Sequence, residues 1–117
     1  MNFFDKMKDL AEDASKTVAT TSKTLTAKAD SKLKINSLNK EIEEARVSIR
    51  KVHEKVGKAF LDEYRNQNKM EDNFIIDSIN EISGYEDKIT KAKLKIEEEE
   101  NALYEKLQDI ERDKYDN

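Results

Sequence analysis

The chain has 117 residues, of which 41% are charged, with a formal net charge of -4 and a mean hydropathy of -0.95. So polar a composition excludes a deep globular core, and no run approaches the roughly 18 apolar residues that cross a bilayer. The absence of cysteine removes disulfides, thiol catalysis and any cysteine-ligated zinc or iron-sulfur centre.

A helix is expected from about Phe3, because Asn2 followed by Asp5 reads as a cap with an acid in the first turn. Residues 1 to 10 lack the basic start and apolar run of a secretory signal. Beyond them Met7, Ala11, Ala14, Val18, Ser22, Leu25 and Ala29 recur at spacings of three and four that average close to an eleven-residue period. The stripe is narrow, its bulky residues Phe3, Phe4, Met7 and Leu10 gather at the start, and its polar side is rich in serine and threonine. That pattern fits a helix lying on a lipid surface, and equally one folded back over a bundle. Four such side chains, at about 1.5 to 3 kcal/mol each when buried, could hold a short helix to a surface. Asp5, Asp9, Glu12 and Asp13 would oppose an anionic one.

Asp30 and Ser31 read as a joint, either able to cap a new helix before Leu33. The division expected is therefore an amphipathic N-terminal segment, 1–30, and a hairpin, 31–117, with helices at about 31–64 and 69–114.

In the first of these, Ile35, Leu38, Ile42, Ala45, Ile49, Val52, Val56 and Ala59 alternate spacings of three and four, a heptad seam. In the second, Ile75, Ile82, Ile89, Ile96, Leu103 and Ile110 fall every seven residues. A fold-back near position 69 sets Ile35 by Leu103, Ile42 by Ile96, Ile49 by Ile89 and Val56 by Ile82, so one register satisfies four layers. The second row of the downstream helix, Ser78, Tyr85, Ala92, Glu99 and Lys106, is poorer. Between the helices, RNQNKMED (65–72) has no periodicity and suits a turn, with Asn68 and Glu71 as a cap and its acid. Phe74, Ile75, Ile76 and Ile79 are expected to pack on Phe60 and Tyr64 as a plug closing the tip. With no proline and only Gly57 and Gly84, little else interrupts either helix. Two helices alone bury one stripe and are marginal, so a third is expected, supplied by the N-terminal segment folding back or by another copy.

Charge is unevenly spread. Residues 14–34 carry about +4, five lysines against Asp30; residues 35–96 balance, twelve cations against twelve acids; residues 97–117 carry about -6, nine acids against three cations. Continued outward, the register lays the acidic end beside the basic stretch, Lys28 near Ile110 and Lys23 near Tyr115. The basic stretch is then either a surface for nucleic acid or lipid, or neutralised within the molecule.

No catalytic constellation is present. His53 is the single histidine, Glu97 to Glu100 point in successive directions round a helix, and no phosphate loop or nucleophile elbow occurs. An enzyme, a metal or organic cofactor and a small-molecule substrate are not expected. Nor is nucleic acid, since acids outnumber lysines, the pI is about 5.2 and no aromatic interleaves with the basic stretch.

The opening NFFDKMKDLAEDASKT, and LKINSLNKEIEEARVSIRKVHEKVGKAFLDEY after it, resemble a group of small, largely uncharacterised Firmicutes proteins. These begin with an FFDK segment, continue into an IxxLxxEI helix with an (I/V)GKxF/Y element, here Val56, Gly57, Lys58 and Phe60, and fold back through a second charged helix. Many carry a C-terminal zinc ribbon, for which this cysteine-free chain has no ligands. The resemblance implies a cytoplasmic bacterial helical protein. Small secreted hairpins with a Trp-x-Gly turn are similar in size, but tryptophan is absent and Ser83-Gly84-Tyr85 falls inside the second helix.

The expectation is thus an all-α, elongated antiparallel coiled-coil hairpin with an amphipathic N-terminal extension, working by binding rather than by reaction. Phe3, Phe4, Met7, Leu10, Val18 and Leu25 would contact a partner protein or another copy. The alternative is a peripheral membrane-surface protein using residues 1–30 on lipid.

Overall fold

The computed structural model describes the backbone of residues 3–115 and the side chains of residues 5–7 and 16–114. Two helices account for nearly all of it, α1 (Phe3–Asn66) and α2 (Phe74–Tyr115), and the described residues form no strand. The fold is an all-α helical hairpin. Its contacts divide it into two units, Asn36–Ile96 and Met1–Ile35 with Glu97–Asn117.

In the first unit α1 and α2 run antiparallel on either side of the turn. Leu38, Ile42, Ala45, Ile49, Val52, Val56 and Ala59 of α1 are buried or half-buried, as are Ser78, Ile82, Tyr85, Ile89, Ala92 and Ile96 of α2. Val56 and Ile82 line one groove, Ala45 and Ala92 another, which fits the register read from the isoleucine rows. Ala92 at 3% exposed and Ala45 at 5% are as closed as Val52 at 4% and Ile42 at 6%, whereas Ile49 and Ile89 are only half-buried. Alanine lets the backbones approach, and the isoleucines then flank the contact with one side in water. Ser78 and Ala92, from the row that looked poorer on α2, are the two buried residues of its described part. No described side chain is fully buried.

In the second unit the packed face of α1 comprises Thr20, Thr24, Ala27, Ser31 and Ile35, set against a face of α2 with Leu103, Leu107 and Ile110. These α1 positions recur at spacings of four, three, four and four, so the seam continues upstream in threonine, alanine and serine with one residue more than a strict heptad gives. The stripe of Val18 and Leu25 is not the packed one; both are exposed. Nor does the N-terminal segment fold back to supply a third helix, because α1 is a single helix of 64 residues. It passes through Asp30 and Ser31 without interruption, since Ser31 lies on the covered face and caps nothing.

The turn differs from expectation in its chemistry. Asn68 does not cap α2; its Nδ2 donates to Asp62 Oδ2 at 3.1 Å, while Asn66 Nδ2 donates to Asp62 Oδ1 at 2.6 Å. The Asn68 side chain is turned back toward α1, and α2 begins at Phe74, where Asn73 supplies the first carbonyl, accepting from the Asp77 amide at 2.8 Å. Gln67 closes α1 with φ of 58°, its amide donating to the Glu63 carbonyl at 3.1 Å, the left-handed stop that usually falls to glycine. Both glycines are tolerated on the surface: a Cβ on Gly57 or Gly84 would meet nothing within 4 Å.

Three measurements follow from these local features. Ser31 Oγ is buried without a hydrogen-bond partner, so Ser31→Ala should raise stability by about 1 kcal/mol in denaturant unfolding; a loss would show that the hydroxyl is satisfied. Gln67→Gly should stabilise by a similar amount, about 1 kcal/mol, by removing the Cβ penalty of the left-handed conformation. The donors from Asn66 and then Asn68 hold the Asp62 carboxyl below its ordinary value. A lowered folded-state pKa contributes stability that is complete above the unfolded value and lost as pH falls through the folded one. An NMR titration should therefore find Asp62 protonating below the ordinary aspartate value, and Asn66→Ala should bring it back up toward that value.

Candidate interaction surfaces

Among the described residues no group of three histidine, cysteine, aspartate or glutamate side chains is placed to hold a metal ion, and no helix is long and apolar enough to cross a membrane. His53 is exposed on α1. What the molecule does present is apolar surface in two places.

The first is on α1 in the unit that holds the chain ends. Val18 is 68% exposed, Leu25 and Met7 are exposed, and Leu33 is 70% exposed. At about 100° per residue, Val18 and Ala27 stand half a turn apart, so covering Ala27 with α2 leaves Val18 on the far side. Leu25 shares that side. So does Leu33, which the sequence reading left out although it continues the eleven-residue spacing from Ser22. Lys28 and Lys32 fall within about 60° of Leu25, whereas Asp30 is about 140° away and Asp5 about 160° from Met7. The side chains of Phe3, Phe4 and Leu10, assigned to the same contact, lie outside the described residues, as do those of Asp9, Glu12 and Asp13.

On the opposite side of this segment the acidic end of α2 does lie along basic α1. The pairing is displaced from the expected one, since Lys16, Thr20 and Lys23, rather than Lys28, share a groove with Ile110 and Asp113, and Lys34 Nζ stands 3.9 Å from Glu99 Oε1. Such exposed pairs contribute little individually, but they occupy cations that a polyanion would need.

The second surface is the tip, and here the expected plug is absent. Tyr64 is 81% exposed, Phe60 61%, and Ile76 and Ile79 are similarly open. The reason is angular: Phe60, Tyr64, Ile75 and Ile79 stand beside the seam rather than on it, and two helices have no third element to cover their flanks. Phe60 and Gly57 of α1 with Ile75, Ile79 and Ile82 of α2 wall a groove of about 380 Å³. Exposed aromatics at a hairpin tip are readable as surface once helical angle is weighed beside hydrophobicity; apolar content alone misassigns them to a core.

A third groove, of about 450 Å³, runs over Ala45 and Ala92. Lys88, Lys91 and Lys95 line one wall and Glu41 and Glu44 the other, so its charges offset one another, and Lys88 Nζ also sits 5.5 Å from the Tyr85 ring centroid.

Comparisons with protein-family models, with curated proteins and with solved structures give no match for this chain.

Proposed function

We propose that the chain is a non-enzymatic interaction protein whose paired helices are a frame and whose contact surface is the uncovered stripe of α1. Phe3, Phe4, Met7, Leu10, Val18 and Leu25, extended by Leu33, engage a partner protein or another copy. The observation that carries this reading is the placement of Val18, Leu25 and Leu33 on the side of α1 turned away from α2, exposed by about two thirds. Scattered surface leucines need no explanation, but an apolar line held over several turns does. A setting in the bacterial cytoplasm is part of the proposal, resting on the family resemblance.

One feature favours a lipid surface as a second reading. The cations Lys28 and Lys32 share the side of the stripe, while Asp5 and Asp30 are turned from it, a distribution that suits anionic headgroups. An eleven-residue repeat also runs almost parallel to a helix axis, so a flat surface can cover it over several turns.

A photo-crosslinking side chain, p-benzoylphenylalanine, placed at Leu25 should yield discrete protein adducts in cells, while the same group at exposed Lys51 should not. Equal labelling at both sites would remove the stripe from consideration. Co-sedimentation of the full chain with phosphatidylcholine–phosphatidylglycerol vesicles, abolished by Val18→Glu with Leu25→Glu, would decide for lipid.

A further inference from the structure

We propose that the hairpin tip is a self-association surface, where two copies close over the groove beside Gly57 and Phe60 and build a four-helix bundle. This surface is separate from the α1 stripe and lies wholly within the unit Asn36–Ile96.

The groove asks for apolar cover. Phe60, Tyr64, Ile75 and Ile79 are between 39% and 81% exposed, leaving roughly 500 Å² of apolar side chain per copy at the usual areas of such residues. Burial of two such faces removes about 1,000 Å², the size at which a protein interface becomes specific. Both helices of the hairpin already form its walls, so no third helix of the described chain is left to lie in it.

The floor is suited to a close neighbour. Gly57 has nothing within 4 Å of where a Cβ would sit, giving an incoming helix a slot between Phe60 and Ile79. A glycine inside a helix costs helix stability, and a slot for a neighbour gives that cost a purpose. Ser78 is the buried polar group beneath, and its hydroxyl donates to the Phe74 carbonyl at 2.8 Å. Closing the groove therefore leaves that hydroxyl satisfied, and the one other polar side chain lining it is the exposed His53.

Charge selects the occupant. Around the groove, residues 53–82 hold four cations and seven acids, so the tip repels a polyanion or an anionic membrane. A second copy brings the same modest net charge, which salt screens at an exposed rim, together with a matching apolar helical face.

Sedimentation equilibrium of the full chain, over a concentration series in the micromolar range, should show reversible dimerisation. Gly57→Glu and Ile79→Glu should each raise the dimer dissociation constant at least tenfold while leaving the helical circular dichroism unchanged. The glycine variant introduces no clash and adds a better helix former, so a loss of dimer there cannot be ascribed to misfolding. Val18→Glu with Leu25→Glu should leave the dimer intact, which separates this surface from the α1 stripe. A strict monomer throughout the series would overturn the proposal. So would a dimer indifferent to Gly57→Glu, or one dissolved only by the Val18 and Leu25 substitutions.

Discussion

The contact between α1 and α2 is one side chain wide, and the remaining features of the molecule are consequences of that width. Two helices share a single stripe, so each residue off the stripe is exposed whatever its chemistry. Small residues make the innermost layers, Ala45 and Ala92 in one unit and Ala27 and Ser31 in the other, because only they let two backbones approach without a third helix to fill the flanks. The result is a fold in which Ala45 and Ala92 are as buried as Ile42 and Val52, while the other seam isoleucines are half-wet. Stability is then spread over many shallow layers rather than held at a centre.

The same constraint explains why apolar side chains remain on the surface in two separated groups. On the leading part of α1 the apolar stripe and the packed face share the same spacings of three and four and run about half a turn apart, so they occupy opposite sides of one helix. At the tip the residues are bulky and close to the seam, but turned too far round to enter it. Both groups are by-products of economy in the fold, and both are available for binding. The charged surface elsewhere is internally balanced, as in the lysine and glutamate walls of the groove over Ala45 and the pairing of Arg46 and Arg50 with Glu43 at 3.9 and 3.4 Å.

Much of the hairpin is legible in the sequence, because Ile42, Ile49, Val56, Ile82, Ile89 and Ile96 repeat on a seven-residue period and admit one antiparallel register. Less legible is the seam beyond Ile35. There Thr20, Thr24, Ala27 and Ser31 keep the spacing but not the hydrophobicity, and hydropathy takes small polar residues for surface. The brighter pattern of Val18 and Leu25 draws attention to the wrong side of the helix. The start of α2 is misread for a different reason: Asn68 has the right identity for a cap, but its side chain is turned back to Asp62 on α1 and the second helix starts only at Phe74. The exposed tip follows from a count of helices, which no local pattern contains.

An interface lined by alanine and serine has little relief, and two smooth rods can slide past each other with small loss of fit. Displacement by one helical turn would require the connection to lengthen by about 5.4 Å. The connection is drawn in at both ends, with Asn66 and Asn68 tethered to Asp62 and the Phe74 amide fastened to the Glu71 carbonyl at 3.0 Å. It therefore resists axial slippage, adding to the register that the isoleucine rows set where small residues alone would leave it loose.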